Sequence, residues 1–294
     1  MYYRRKILLS ILKEFGGRMS KLDLQKILFL FSQSQPSAAF NFVPYKYGCY
    51  SFQAARDLST LGTYGLVDEK EKYYELKSKK KFDTELTEND LRILHKVKNT
   101  YGKLSTDQLI KYIYKNYPYY AINSLIAKEK LSSSAYEKLE DIKPYSNQTL
   151  LFTIGYEGIR VEEYFNRLIQ NDIKVLCDVR NFPRSMKFGF SKNQLNNICK
   201  GLGIVYIHLP GLGIESSKRK NLNSQSDYDR IFVAYRESTL SSNKADQQII
   251  LDLIKKYKRV ALTCFECDVK SCHRYHLSNS IMRKHKESLN ISHI

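Results

Sequence analysis

Apolar positions change their period near the middle of the chain. In the first half they recur at helical spacing. Ile7, Leu8, Ile11, Leu12 and Phe15 make one stripe, ended by Gly16-Gly17, and Leu24, Ile27, Leu28 and Phe31 make the next. Ser20 can cap that second helix, with Asp23 three residues on. Pro36 and Pro44 bound a polar and aromatic connection. A turn and cap at Tyr47 to Ser51 lead into a helix from about Phe52 to Leu61, punctuated by Gly62 and Gly65. Leu66-Val67 and Tyr73 to Leu76 then predict a small hairpin around Asp68 to Lys72. Residues 84 to 143 read as mostly helical. Leu91, Leu94 and Val97 follow a Thr87/Asp90 capping pair, and Leu109, Ile110 and Ile113 follow Ser105-Thr106-Asp107. That helix stops at Tyr117-Pro118, and another is expected from about Ala121 to Glu129. Helices followed by a charged hairpin are the order of a winged-helix module, so residues 1–146 are expected to form a winged-helix-like accessory or binding domain.

Beyond DIKPYSNQ, residues 141 to 148, short apolar runs alternate with amphipathic ones. Strands are predicted at Thr149 to Ile154, Lys174 to Cys177, Val205 to Leu209 and Arg259 to Thr263. Helices are predicted at Val161 to Ile169, Ser191 to Cys199, Asp229 to Leu240 and Ala245 to Tyr257, with a last one from near Cys272 into the basic stretch MRKHKESLN. This alternation predicts an α/β domain over residues 147–294, a mostly parallel sheet with helices on both faces. Four loops then follow strand C-termini: Gly155 to Gly158, Asp178 to Pro183, Pro210 to Gly213 and Cys264 to Cys272. Parallel connectivity sets such loops on one edge, where open α/β sheets bind ligands.

Charge narrows the partner class. The 294 residues carry a net charge of +18. On either side of residue 147 the chain has 25 basic and 16 acidic residues, then 23 and 14, so each half is near +9. A positive field on both halves favours a polyanionic partner, nucleic acid or a phosphate-containing nucleotide first and an anionic membrane second, against the plainer reading of a generally basic solvated surface. Lys77 to Lys81 are candidate phosphate contacts or a solvated linker, and the polar stretch from Glu215 to Asp229, with Lys218, Arg219 and Lys220 at its centre, is read as a lid or a nucleic-acid contact. No stretch approaches a membrane span, no signal peptide is read at the start, and the six cysteines do not suggest a disulfide framework. A cytoplasmic protein without a membrane partner is expected.

Candidate chemistry sits in the four loops. Glu157 and Glu266 form a possible acid/base pair, with Glu266 favoured. Asp178 can position Arg180, bind a hydroxyl or take a proton; a structural ion pair is the plainer reading. Arg180, Arg184 and Arg274 suit phosphate, because a guanidinium makes paired hydrogen bonds to its oxygens. His208 is read as a core histidine or a base. Cys272, at the start of a helix, is read first as a buried cysteine that supports the loop; with the helix N–H groups and Arg274 lowering its pKa it is also a candidate nucleophile, with His273 or His208 as base. A zinc reading of Cys264, Cys267, Cys272 and His273 is set aside, because adjacent Cys272 and His273 are not expected to reach one ion. A redox use of Cys264-x-x-Cys267 is also set aside. Neither a Walker A motif nor a Rossmann glycine fingerprint is present, and no cofactor is expected.

Thr153-Ile154-Gly155-Tyr156-Glu157, DVRNFPRS from Asp178 to Ser185, Tyr206 to Pro210, Leu212-Gly213 and CFECDVKSCHR from Cys264 to Arg274 occur in an order that resembles the DUF488 family over about residues 150 to 285. The resemblance implies a compact α/β domain with cysteine, histidine and arginine residues in one cleft, and a broad link to nucleic-acid or nucleotide processing. Tyr156, a candidate substrate contact, stands where many relatives have a histidine. In the first half, Leu22 to Phe31, Phe42 to Ser51, Phe52 to Leu61 and Gly65 to Leu76 resemble the Panacea domain of antitoxin-related proteins, which implies an accessory role in binding protein or DNA.

Together these readings lead to a nucleic-acid- or nucleotide-processing enzyme with an anion-binding cleft, hydrolysis being one candidate reaction. The alternatives are a non-catalytic nucleic-acid sensor or defence-system component, and a small-molecule hydrolase whose positive charge is incidental.

Overall fold

The computed structural model describes residues 1–78, 82–215, 224–285 and 289–294. The expected phosphate contacts at Lys79 to Lys81 and at Lys218, Arg219 and Lys220 lie outside them, as do residues 286–288 of the basic C-terminal stretch. The chain divides into two compact units, Met1–Lys143 and Pro144–Ile294. Among the described residues, no helix is long and apolar enough to cross a membrane.

The first unit is built on helices α1 (Tyr3–Glu14), α2 (Lys21–Ser34), α3 (Phe52–Thr63), α4 (Glu88–Tyr101) and α5 (Thr106–Asn116), with short α6 (Ala127–Lys130) and α7 (Ser133–Asp141). Caps fix several starts. The Ser20 and Thr87 hydroxyls accept from the backbone N–H groups of Asp23 and Asp90, and Ser105 forms a capping box with Gln108. The hairpin expected around residues 68–72 is β4 (Val67–Glu69) with β5 (Tyr73–Leu76). It gains a third strand, β1 (Arg18–Ser20), in the order β1-β5-β4. The turn expected at Tyr47 to Ser51 lies within a second hairpin, β2 (Val43–Tyr45) with β3 (Gly48–Tyr50). The helix expected from Ala121 to Glu129 is not continuous: a 3-10 turn at Pro118–Ala121 precedes the single turn of α6. Buried Asp57 joins the N-terminus of α1 to α3, accepting from Nε of Arg4 at 2.5 Å and of Arg5 at 2.7 Å.

The second unit has a wholly parallel sheet. Its strands are β6 (Leu150–Gly155), β7 (Val175–Asp178), β8 (Val205–His208), β9 (Arg259–Cys264) and β10 (Asn290–His293), in the order β10-β6-β9-β7-β8. Helices α8 (Val161–Gln170), α9 (Lys192–Leu202), α10 (Gln225–Ala234), α11 (Leu240–Ser242), α12 (Lys244–Tyr257) and α13 (His273–Lys284) complete it, with a π-helical stretch at Tyr235–Thr239. Every residue of β7 and β9 is buried, so these central strands are mostly apolar on both faces and their polar members Asp178, Arg259 and Thr263 are hydrogen-bonded. One face carries Leu151, Val175, Cys177, Val260 and Leu262, which pack with Ile250 and Ile254 of α12 and Leu277 and Ile281 of α13. Alternate residues point to the other face, where the Tyr164 hydroxyl of α8 donates to Oγ1 of buried Thr263 at 2.8 Å. The C-terminal helix is shorter than expected: α13 ends at Lys284, and β10 then adds an edge strand beside β6.

Register places the strand ends together. Gly155 pairs with Cys264, and Asp178 pairs with both Thr263 and His208. The four loops after β6, β7, β8 and β9 therefore leave one rim of the sheet.

Candidate functional site

These loops are locked to one another by backbone. Both Tyr156 and Glu157 donate N–H to the Phe265 carbonyl, at 3.1 and 2.9 Å. The Glu157 carboxylate accepts from the Cys267 N–H at 3.0 Å. A Cβ on Gly155 would collide with the Glu266 carbonyl, and one on Gly213 with the backbone N of Asn181. Glycine is required at both positions by close approach of another loop. The Asp178 and Arg274 segments also meet: Nε2 of His273 lies 3.0 Å from the Val179 carbonyl.

A cavity of about 350 Å³ opens between the loops. Tyr156, Arg180, Cys264 and His273 form its inner wall, and Phe182, Arg184, Met186 and Phe265 its exposed mouth. Among the described residues, no carboxylate lines it. Glu266 and Cys272, the favoured acid/base and nucleophile, are not among the lining residues.

The arginines divide by burial. Arg180 donates through Nε and Nη2 to the two oxygens of Asp178, at 2.8 and 2.5 Å, and through Nη1 to the Tyr156 hydroxyl and the Phe190 carbonyl. Asp178 also accepts from the Tyr206 hydroxyl at 2.7 Å and is fully buried. Burial opposes the guanidinium charge, but Asp178 outweighs it and holds the Arg180 pKa above its ordinary value. This is the structural ion pair, and the hydrogen bonds described for the Arg180 guanidinium all go to protein groups. Arg274 is 2% exposed, and its Nη1 and Nη2 donate to the carbonyls of Glu266 and Cys267. It holds the loop rather than a phosphate. Arg184 remains exposed at the cavity mouth, its guanidinium 5.1 Å from the Phe182 ring centre.

His208 is half-buried, with Nε2 at 2.9 Å from the Arg180 carbonyl, so it braces the β7 loop. Tyr156 stacks on Phe190, with ring centres 4.4 Å apart, and accepts from Arg180. Glu157 is exposed and caps the Cys267 segment. Glu266 is half-buried, and its Oε2 accepts from the Cys264 thiol at 3.0 Å.

Cys272 takes the plainer of its two readings, a buried cysteine at the helix start. Burial, then neighbouring Cys264 and the charge of Glu266, push its thiol well above the ordinary value, although Arg274 acts the other way. The lowered pKa expected of a helix-start nucleophile is overturned by this enclosure. The argument that set zinc aside also fails. Cys272 is extended (φ −131°, ψ 140°) and His273 is the first helical residue. The change of conformation turns both side chains inward, with Sγ 3.8 Å from Nδ1. Cys264, Glu266, Cys272 and His273 each offer a donor atom within 4.8 Å of the others. Cys267 is exposed and outside this cluster.

Residues 160–281 match the family model of DUF488, a domain of unknown function. The match includes Asp178, Arg180, Arg184, His208, Glu266, Cys272 and Arg274, while Tyr156 and Glu157 precede it. No curated protein matches the chain. The DUF488 region thus supplies most of the rim, and β6 and β10 complete the sheet outside it. Residue-by-residue reading missed the apolar mouth: Phe182 is 58% exposed and Phe265 is 44% exposed, in loops already singled out for polar neighbours. Large exposed apolar side chains beside arginines were the available signal.

Proposed function

We propose that the second unit processes a nucleotide or nucleic acid by hydrolysis, binding a phosphate group at the mouth of the rim cavity. The observation that carries this reading is the pairing of exposed Arg184 with exposed Phe182 and Phe265 around a cavity whose described lining has no carboxylate. Arg184 offers a guanidinium to phosphate, and the two phenylalanines offer faces on which a base can stack. Glu266, behind the Cys264 wall, is the candidate proton carrier. The net charge of +18 raises the local concentration of any polyanion. The first unit, which resembles the Panacea domain over Leu22 to Leu76, serves as the winged-helix-like binding module for nucleic acid or a protein partner, in a cytoplasmic setting.

A second reading, a non-catalytic nucleic-acid sensor of a defence system, has its own support. Asp178, Arg180 and Arg274 are engaged by protein groups, which suits a rigid binding cleft better than a proton-transfer centre.

The test is binding of labelled single-stranded DNA, double-stranded DNA, RNA and mononucleotides across a salt series, with product analysis of the same mixtures. Arg184→Ala should weaken binding to every bound sequence alike and reduce the salt slope by about one. Glu266→Gln should abolish turnover and keep binding. Binding without turnover in the parent chain favours the sensor, and salt-independent absence of binding rejects both readings.

A further inference from the structure

The cluster behind the cavity wall differs from the rest of the rim. It gathers electron-pair donors: the thiols of Cys264 and Cys272, the carboxylate of Glu266 and Nδ1 of His273. They come from two segments, the end of β9 with the loop after it and the N-cap and first residue of α13, in the spacing Cys-x-Glu-x5-Cys-His.

The two sulfur–nitrogen distances match coordination geometry. Zinc bonds of about 2.3 Å to sulfur and about 2.0–2.1 Å to nitrogen, at tetrahedral angles, set sulfur–nitrogen edges of about 3.6 Å. Here Nδ1 of His273 lies 3.7 Å from Sγ of Cys264 and 3.8 Å from Sγ of Cys272. The Cys264–Glu266 edge is tighter, at 3.0 Å, because the thiol proton bridges it in a hydrogen bond that metal binding would remove.

The histidine is oriented as a ligand. A carbonyl only accepts, so the 3.0 Å contact with Val179 fixes the proton on Nε2. In the neutral ring this leaves the lone pair on Nδ1, which faces both sulfurs. Metal-bound histidines carry this kind of second hydrogen bond to a carbonyl. Charge also balances. Two thiolates and one carboxylate around a divalent ion leave one negative charge, and the Arg274 guanidinium is held at the Glu266 and Cys267 carbonyls of the same loop. Two sulfurs select zinc-like ions over magnesium or calcium.

We propose that Cys264, Cys272, His273 and Glu266 bind one zinc-class divalent ion. The two cysteines bind as thiolates and release their protons to solvent. Cys264 and His273 also line the cavity, so the ion faces it. Glu266 is half-buried where the other three are buried, which makes its carboxylate the ligand that a water or substrate atom displaces. The ion site stands without the nucleotide reading.

The test uses the full chain, reduced and stripped with a chelator, then titrated with cobalt(II) and zinc. Cobalt should bind at one equivalent and give the sulfur-to-cobalt charge-transfer absorption of thiolate ligation, and zinc should displace it. Cys272→Ser and His273→Gln should each weaken binding by more than about 100-fold, beyond the usual effect of losing a supporting residue. Cys267→Ser, which removes a thiol outside the cluster, should change nothing. Should a ligand variant fail to fold by circular dichroism, the parent chain still decides through its absorption and a rise in melting temperature with zinc. The proposal is overturned if the reduced parent binds no cobalt at one equivalent, if the thiolate absorption disappears in Cys267→Ser, or if it survives in a folded Cys264→Ser, Cys272→Ser double variant.

Discussion

Two polar groups lie behind the same rim, and they are built on opposite principles. The Asp178–Arg180 pair joins a buried anion to a buried cation, and Tyr156, Tyr206 and the Phe190 carbonyl complete their hydrogen bonds. Cys264, Cys272, His273 and Glu266 instead bring four electron-pair donors together, three of them buried. The first set is complementary in itself, so it behaves as scaffold. The second gains most from a cation. Burial and polarity alone do not separate a structural group from a functional one; the sign of what gathers does.

Breaking the pair should have the largest effect. Asp178→Asn leaves the Arg180 guanidinium buried against a neutral amide and should cost about 3–5 kcal/mol in urea unfolding. The donor cluster should respond the other way, to what is added. At a free zinc concentration of 100 dissociation constants, the apo chain should gain about 2.7 kcal/mol, and Cys272→Ser should gain almost none. Equal zinc stabilisation of both would erase the distinction.

Gly155→Ala tests whether the loops truly press together. The added methyl meets the Glu266 carbonyl, and overpacking should cost about 1–3 kcal/mol. Zinc affinity should fall with it, because Glu266 must move. The smallest effect on stability belongs to Arg184→Ala at the exposed mouth, within about 0.5 kcal/mol. Its readout is the salt slope of polyanion binding, and a variant with parent-like slope would remove Arg184 from the phosphate contact.

The parallel sheet was legible because its central strands carry short apolar runs, Val175 to Cys177 and Val260 to Leu262, and parallel order puts their following loops on one rim. The hairpin at Val67 to Leu76 was legible from its local pattern. Strand β10 was not. Asn290 to His293 has no apolar run and is a strand only through pairing with β6, some 140 residues earlier in the chain. The chemistry was harder still. Neighbouring side chains diverge within a regular strand or helix, and Cys272 and His273 converge because the helix begins between them. Nor does sequence distinguish an arginine that grips carbonyls, as Arg274 does, from one that grips phosphate. Burial decides between them, and burial belongs to the fold.

The most direct measurement of the central claim is elemental analysis of the full chain, purified under reducing conditions without chelator and then equilibrated with limiting zinc. About one zinc retained per parent chain through gel filtration, with little retained by folded Cys272→Ser, is the predicted result. Parent chains that retain no zinc, or folded Cys272→Ser chains that retain as much as the parent, would contradict it.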